Sequence, residues 1–166
     1  MAHNPFWQYS LTIYQRPAVA DLCLTLQDDF EADVNMLLCA AWLSSIGQPL
    51  THSLLHELSR ESCDWQKNCL TPLRQARRFL KQKAPADIYQ KLKCAEVEAE
   101  SMQQQKLYQR LKHLPLEADD DELLPHNVQL YLLALGKGGQ KTILALSDAL
   151  CQAIQDDTNT LSTVVD

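Results

Sequence analysis

A chain of 166 residues can bury roughly 70% of the surface its unfolded form exposes, so its stability need not rest on metals or disulfides. Four glycines, scattered β-branched residues and abundant Leu, Ala, Gln, Glu and Lys favour helix over strand, which predicts an all-α, single-domain bundle of about six to eight helices. A net charge of −6 argues against general nucleic-acid binding, and the apolar runs are too short and interrupted to span a bilayer, so neither nucleic acid nor membrane is an expected partner.

Asn4 and Pro5 form an N-cap and first-turn pair, after which Phe6, Tyr9 and Ile13 share one helical face. Pro17 restarts the chain into a second helix carrying Val19, Leu22, Cys23 and Leu26, expected to end near Asp28 and Asp29. Asp33 then caps a third helix with the stripe Val34, Leu37, Leu38, Ala41 and Trp42, and Gly47 and Pro49 stop it. Thr51 can cap a short fourth helix bearing Leu54, Leu55 and Leu58. Trp65, Cys69, Leu73, Ala76 and Leu80 recur at helical spacing, with Pro72 expected either to kink that helix or to begin a new one capped by Thr71.

Lys83, Ala84 and Pro85 mark the turn of a long helical hairpin, whose second arm runs from about Ala86 to Lys112 with the apolar seam Ile88, Leu92, Ala95, Ala99 and Met102. The segment LPLEADDDELLPHN reads as an acidic surface loop, centred on about residues 115–125. Val128 to Leu135 and Ile143 to Ile154 read as a closing helical hairpin joined through GKGGQKT. The helical domain is expected over residues 1–155, followed by a disordered tail over 156–166.

No N-terminal segment resembles a signal peptide. The six cysteines Cys23, Cys39, Cys63, Cys69, Cys94 and Cys151 include no Cys-x-x-Cys pair, and small hydrophobes or free thiols in a reducing cytoplasm are the expected reading. Charge is uneven along the chain. Arg60 to Lys112 carries 12 basic and 6 acidic residues, whereas the remainder carries 3 basic and 15 acidic, which favours complementarity between helices over a basic face kept for an anionic partner.

Several patterns approach known chemistry and stop short of it. GKGGQKT lacks the glycines of a phosphate-binding loop at the positions of Gln140 and Leu135, and no strand precedes it, so a helix C-cap and turn at Gly136 to Gly139 is expected. His52 and His56 share a helical face, but no third ligand stands at a recognisable spacing. Asp28, Asp29 and Asp33 meet at a helix junction where isoprenoid synthases place cation-binding aspartates, yet Ala32 occupies the last position of the Asp-Asp-x-x-Asp pattern. No serine or cysteine sits in a nucleophile elbow. No metal site and no cofactor are therefore assigned.

Two constellations remain. Gln27, Asp28, Asp33 and Asn35 lie in an apolar stretch, where buried polar groups must be hydrogen-bonded or be costly. Arg74, Arg77, Arg78 and Lys81 form a basic stripe, answered on the following helix by Glu96, Glu100 and Gln103. Folding back at Pro85 sets Arg74 opposite Glu96 but Arg77 opposite Lys93 and Arg78 opposite Leu92. Those two arginines are left to find Asp28 or Asp33, or an external anion.

The runs FWQYSLTIY at Phe6 to Tyr14, CLTLQDDFEADVNMLL at Cys23 to Leu38 and PLRQARRFLK at Pro72 to Lys81, with Trp42 and Trp65, resemble a family of short bacterial proteins of unknown function. The resemblance implies a bacterial cytoplasmic protein with a helical fold, and it supplies no activity, cofactor or catalytic residue. The leading expectation is a non-enzymatic binding or regulatory protein that meets a protein partner through the Arg74 to Lys81 stripe and the Gln27 to Asn35 junction. The alternative is a small enzyme or ligand-binding protein whose polar pocket, built from Asp28, Asp33, Arg74, Arg77 and Glu96, takes a small anionic or metal-bound ligand.

Overall fold

Asn4 caps the first helix as its sequence context requires, its side chain accepting from Trp7 N at 3.1 Å while Pro5 occupies the first turn. The structure, a computed structural model, describes residues 4–118 and 120–156; the residues after Asp156 read above as a tail lie outside the described residues. The element order is α1 (Pro5–Tyr14), α2 (Pro17–Phe30), α3 (Val34–Ser45), α4 (His52–Trp65), a π-helical turn (Gln66–Leu70), α5 (Thr71–Leu80), α6 (Ala86–Leu111), α7 (Leu123–Ala134) and α8 (Gln140–Gln155). The fold is an all-α helical bundle, with no strand among the described residues.

The third helix is the centre of the bundle because its sequence is apolar on every face, a pattern that suits only a helix with neighbours all round. Every residue from Asn35 to Ser44 is buried, and α1, α2, α4, α6 and α7 all pack on it. Trp42 binds three helices together: its ring lies 5.4 Å from that of Phe6 on α1 and 5.9 Å, edge-on, from that of Tyr108 on α6. The helix α8 closes the other side against α2 and α7. By contrast α5 buries no residue and rests on α6 and the π-helical turn, so polar contacts must hold it.

Three local expectations are corrected. Thr71 does not cap a new helix; its N–H donates to Gln66 O across five residues, and the widened π turn carries helical backbone on into α5 past Pro72. The helix α7 begins at Leu123 rather than Val128, so the acidic loop is shorter than expected, and Pro125 falls within the first turn, where a missing N–H costs nothing. On α6 the apolar seam holds only in its middle, where Ala99 is buried and Leu92 and Ala95 are half-buried, and fails at its two ends. Ile88 and Met102 are exposed, whereas Glu96, Ala99, Gln103, Gln104, Leu107 and Leu111 turn inward.

The connection from α3 to α4 passes under residues 117–118, which fixes Gly47 twice over. Its φ is +72°, and a Cβ there would stand 2.6 Å from Glu117 Cβ and 2.8 Å from Ala118 O. Glu117 N also donates to Ile46 O at 2.9 Å, so the neighbouring backbone cannot simply withdraw. Gly47→Ala is expected to cost about 2–3 kcal/mol, from left-handed strain plus the forced shift, visible as a lowered urea midpoint. A change below about 0.5 kcal/mol would show that the loop is loosely held.

Candidate functional site

The N-terminus of α3 meets α4 and α6 in a layer of buried polar side chains. Asp33 is its hub: Oδ1 accepts from Asn35 N at 2.9 Å, capping α3, while Oδ2 accepts from Ser62 Oγ and from Gln103 Nε2 at 2.7 Å. Its own N–H donates to Tyr131 OH at 2.7 Å. From Gln103 the chain of bonds continues, with Asn35 Nδ2 donating to Gln103 Oε1 and Gln104 Nε2 donating to Asn35 Oδ1 at 2.8 Å. Burying so many amides is stable only because each is met by another.

Beside this layer, α5 is fastened to α6 by a charged cluster. Arg74 gives Nε to Glu96 Oε1 at 3.2 Å, Nη2 to Glu100 Oε1 at 3.0 Å and Nη1 to Gln66 Oε1 at 3.1 Å. The π turn that absorbs Pro72 also carries Gln66, so the irregular backbone supplies the third partner of Arg74. Arg77 donates Nε to Glu96 Oε2 and Nη1 to Tyr89 OH at 3.3 Å. The hydrogen bond to Glu96 pushes the Arg77 pKa up, so this guanidinium stays charged throughout the accessible pH range. Arg78 pairs with Asp28 at 3.0 Å on the surface, and Lys81 is exposed and lines neither cleft described below.

The expected pairing of Arg74 with Glu96 is present, and the counting that set Arg77 opposite Lys93 is corrected. An arginine side chain is long enough to reach one turn along α6, which brings Arg77 to Glu96. The basic stripe is thus divided: the Arg74 and Arg77 side chains are 13% and 21% exposed against carboxylates, while that of Arg78 is 58% exposed. The junction is divided too, with Asp33 and Asn35 buried, Gln27 half-buried and Asp28 exposed.

Between α1, α2, α3, α5 and α6 lies a cleft of about 440 Å³. Trp7, Leu11 and Tyr14 from α1, Leu24 from α2 and Leu38 from α3 make its apolar wall. Arg74, Arg77, Tyr89, Lys93, Glu96 and Glu100 face them from α5 and α6. Burial raises the Tyr14 pKa to about 12, so its hydroxyl remains a donor. A second, shallower cleft of about 300 Å³, reaching Asp28 and Asp33, shares Gln27, Arg74 and Arg78 with the first. The two clefts bring together the residues of the expected polar pocket, with Asp28 and Asp33 in one, Arg77 and Glu96 in the other, and Arg74 in both.

Two residues that sequence reasoning did not single out also line the large cleft. Ser10 Oγ and Gln104 Oε1 are buried, in residues only 2% and 1% exposed, and neither has a hydrogen-bond partner among the described residues. Gln104 had a detectable signal: residues 96, 100, 103 and 104 extend the face that Leu107 and Leu111 set. Ser10 had none.

Glu100 is the group in this site whose environment works against its charge. Burial is the largest influence and raises its pKa, with the hydrogen bond and charge of Arg74 opposing. The native state therefore holds the Glu100 proton to higher pH than the unfolded chain does. Its contribution is most favourable below the ordinary carboxylate pKa and declines as pH rises through the window between the ordinary and raised values. Glu100→Gln should match the wild type near about pH 4 and gain on it as pH rises, read from urea midpoints across the window. A constant difference between the two curves would contradict the shift.

Two of the six free cysteines, Cys23 and Cys39, are fully buried and have thiol pKa values raised by burial, as inert core groups should. Among the described residues no group of three or more His, Cys, Asp or Glu is placed to hold a metal ion, and His52 and His56 are exposed. No helix among them is long and apolar enough to cross a membrane.

Fold and site together define an all-α protein with a half-apolar, half-charged cleft between a buried amide layer and an ion-paired helical hairpin. The chain belongs to the family described as protein of unknown function (DUF2390), the match covering residues 5–107. That span runs from the start of α1 to Leu107 on α6 and contains every residue that lines the two adjoining clefts. Comparison with curated proteins and with solved structures finds no match.

Proposed function

We propose that the protein binds a small organic molecule in the large cleft. The observation that carries this reading is the pair of buried, unpartnered atoms Ser10 Oγ and Gln104 Oε1 on the lining of a space of about 440 Å³. Nearly all buried polar atoms in folded proteins are paired, so two unpaired ones in residues that line one ligand-sized cleft, each just beneath its surface, support a reading in which a ligand completes their bonding. The function assigned is binding, not catalysis: Arg74 and Arg77 are already engaged by Glu96 and Glu100. The six free thiols favour a cytoplasmic setting.

A protein partner docking on the Arg74 to Lys81 stripe draws less support, because the side chains of Arg74 and Arg77 are turned into the protein and only Arg78 and Lys81 are exposed. Native mass spectrometry of protein purified gently from its own host separates these readings. The expected result is a retained mass of small-molecule size in the wild type that is absent from Leu24→Trp, a change at an exposed rim position that fills the cleft. A bare wild-type protein that also gains no thermal stability from a broad metabolite panel would overturn the cleft reading.

A further inference from the structure

The orientation of four side chains in series decides which end of the Gln104 amide is left without a partner. Asp33 Oδ2 accepts from Ser62 Oγ and from the amide N–H of Gln103, the latter at 2.7 Å, which turns the nitrogen of Gln103 towards it. Gln103 Oε1 is then left to accept from Asn35 Nδ2, and Asn35 Oδ1 in turn to accept from Gln104 Nε2 at 2.8 Å. Gln104 cannot reverse its amide without placing two acceptors or two donors together along the chain. Its Oε1, an acceptor, is what remains unbonded, in a residue that lines the cleft, and it has no partner among the described residues. A ligand that meets it must carry an O–H or N–H.

The charges of the cleft set a second requirement. Of its four lining cations, Arg74 and Arg77 are held by Glu96 and Glu100, and Arg78 is paired with Asp28. Lys93, exposed on α6, has no carboxylate partner among the described residues. One positive charge is thus uncompensated. A dianion such as a phosphate monoester would have to draw a second cation from its carboxylate, Arg78 from Asp28 or Arg77 from Glu96, whereas a single carboxylate is matched by Lys93 with every existing pair kept. The third requirement is apolar. Leu11, Leu24 and Val97 are among the few large aliphatic side chains left exposed, and all three line this cleft.

Resting on the cleft-binding reading, we infer that the ligand is an amphipathic monocarboxylate: an apolar body against Leu11, Leu24 and Val97, one anionic head at Lys93, and a hydroxyl or N–H group meeting Gln104 Oε1. Calorimetric titration with three probes tests this: 3-hydroxydecanoate, decanoate, and methyl 3-hydroxydecanoate. The hydroxy acid should bind the wild type about tenfold more tightly than decanoate, the value of one well-placed hydrogen bond. That advantage should vanish in Gln104→Leu. In Lys93→Met, an exposed change that leaves the buried layer intact, both acids should weaken about tenfold while the ester is unaffected.

An ester that matches the acid, or a hydroxyl that adds nothing in the wild type, would overturn the ligand class. So would failure of all three probes while native mass spectrometry shows another retained molecule, an outcome that leaves the cleft as a binding site. Undiminished 3-hydroxydecanoate binding in Leu24→Trp would place the probe elsewhere and remove the support for both readings.

Discussion

Asp33→Ala is expected to destabilise the protein by about 3–5 kcal/mol, the sum of a lost helix cap and two buried donors left without acceptors. The cap is the bond from Asn35 N to Asp33 Oδ1 at 2.9 Å, which opens the central helix α3; caps of this kind contribute about 1 kcal/mol. The larger part comes from Ser62 Oγ and Gln103 Nε2, both in buried residues and both donating to Asp33 Oδ2. Each costs about 1–3 kcal/mol when its acceptor is removed, less whatever bond to Gln103 or to water Ser62 can form afterwards. At about 2–4 °C per kcal/mol for a chain of this size, the melting temperature should fall by about 10 °C.

Asp33→Asn separates the two contributions. Asparagine caps as well as aspartate does, so α3 keeps its start, but one face of the new amide meets a donor with a donor. A loss of about 1–2 kcal/mol is expected. The same substitution frees the amide chain to reverse and so bears on which atom Gln104 offers the cleft. If Asp33→Ala costs under about 1 kcal/mol by urea titration, the buried layer is not what organises this end of the bundle.

Glu96→Ala carries the second large effect, about 2–3 kcal/mol, because one carboxylate serves two arginines. The Glu96 side chain is 10% exposed, and its oxygens take Arg74 Nε at 3.2 Å and Arg77 Nε. Breaking a fully buried pair typically costs about 3–5 kcal/mol; the figure here is smaller because Arg74 keeps Glu100 and Gln66, and Arg77 can swing towards solvent. The loss should be local before it is global. Since α5 buries no residue, its amides over Thr71–Leu80 should exchange much faster in Glu96→Ala while those of α3 keep their protection. By comparison Arg78→Ala, which breaks an exposed pair, should change stability by no more than about 1 kcal/mol. Equal effects from the two substitutions would mean that α5 is held by something other than the Glu96 cluster.

The parts of this fold that were legible in the sequence are those governed by residues close together along the chain. Asn4, Asp33 and Thr51 were recognisable as caps because a cap needs only its own side chain and an N–H two or three residues on. The pairing of Arg74 with Glu96 was legible for a related reason: a hairpin at Pro85 makes the meeting of its two arms a matter of counting. Counting failed at Arg77, because side-chain reach, not backbone register, chose its partner. It fell short again on α6, where it picks out Glu96, Glu100 and Gln103 as a stripe beside the alanine-lined seam and passes over Gln104, which continues the face of Leu107 and Leu111 with them. In α7 the proline that reads as a loop signal is tolerated in the first helical turn, which hid Asn127. That side chain, fully buried, accepts from Leu50 N at 2.7 Å and donates to Ala40 O at 3.2 Å.

From the amino-acid order alone follow the helical class, most helix starts, the apolar stripe of α3 and the presence of polar groups that burial would have to satisfy. Tertiary structure alone decided how those groups were satisfied. Asp33 meets Ser62 and Gln103, Asn35 meets Gln104, and each bond joins residues far apart in the chain. Ser10 and Gln104 became candidates for ligand contact only because folding placed them on one cleft and left each with an unpaired atom. Local propensity acts over a helical turn, whereas the saturation of a hydrogen-bonding group depends on every helix packed around it.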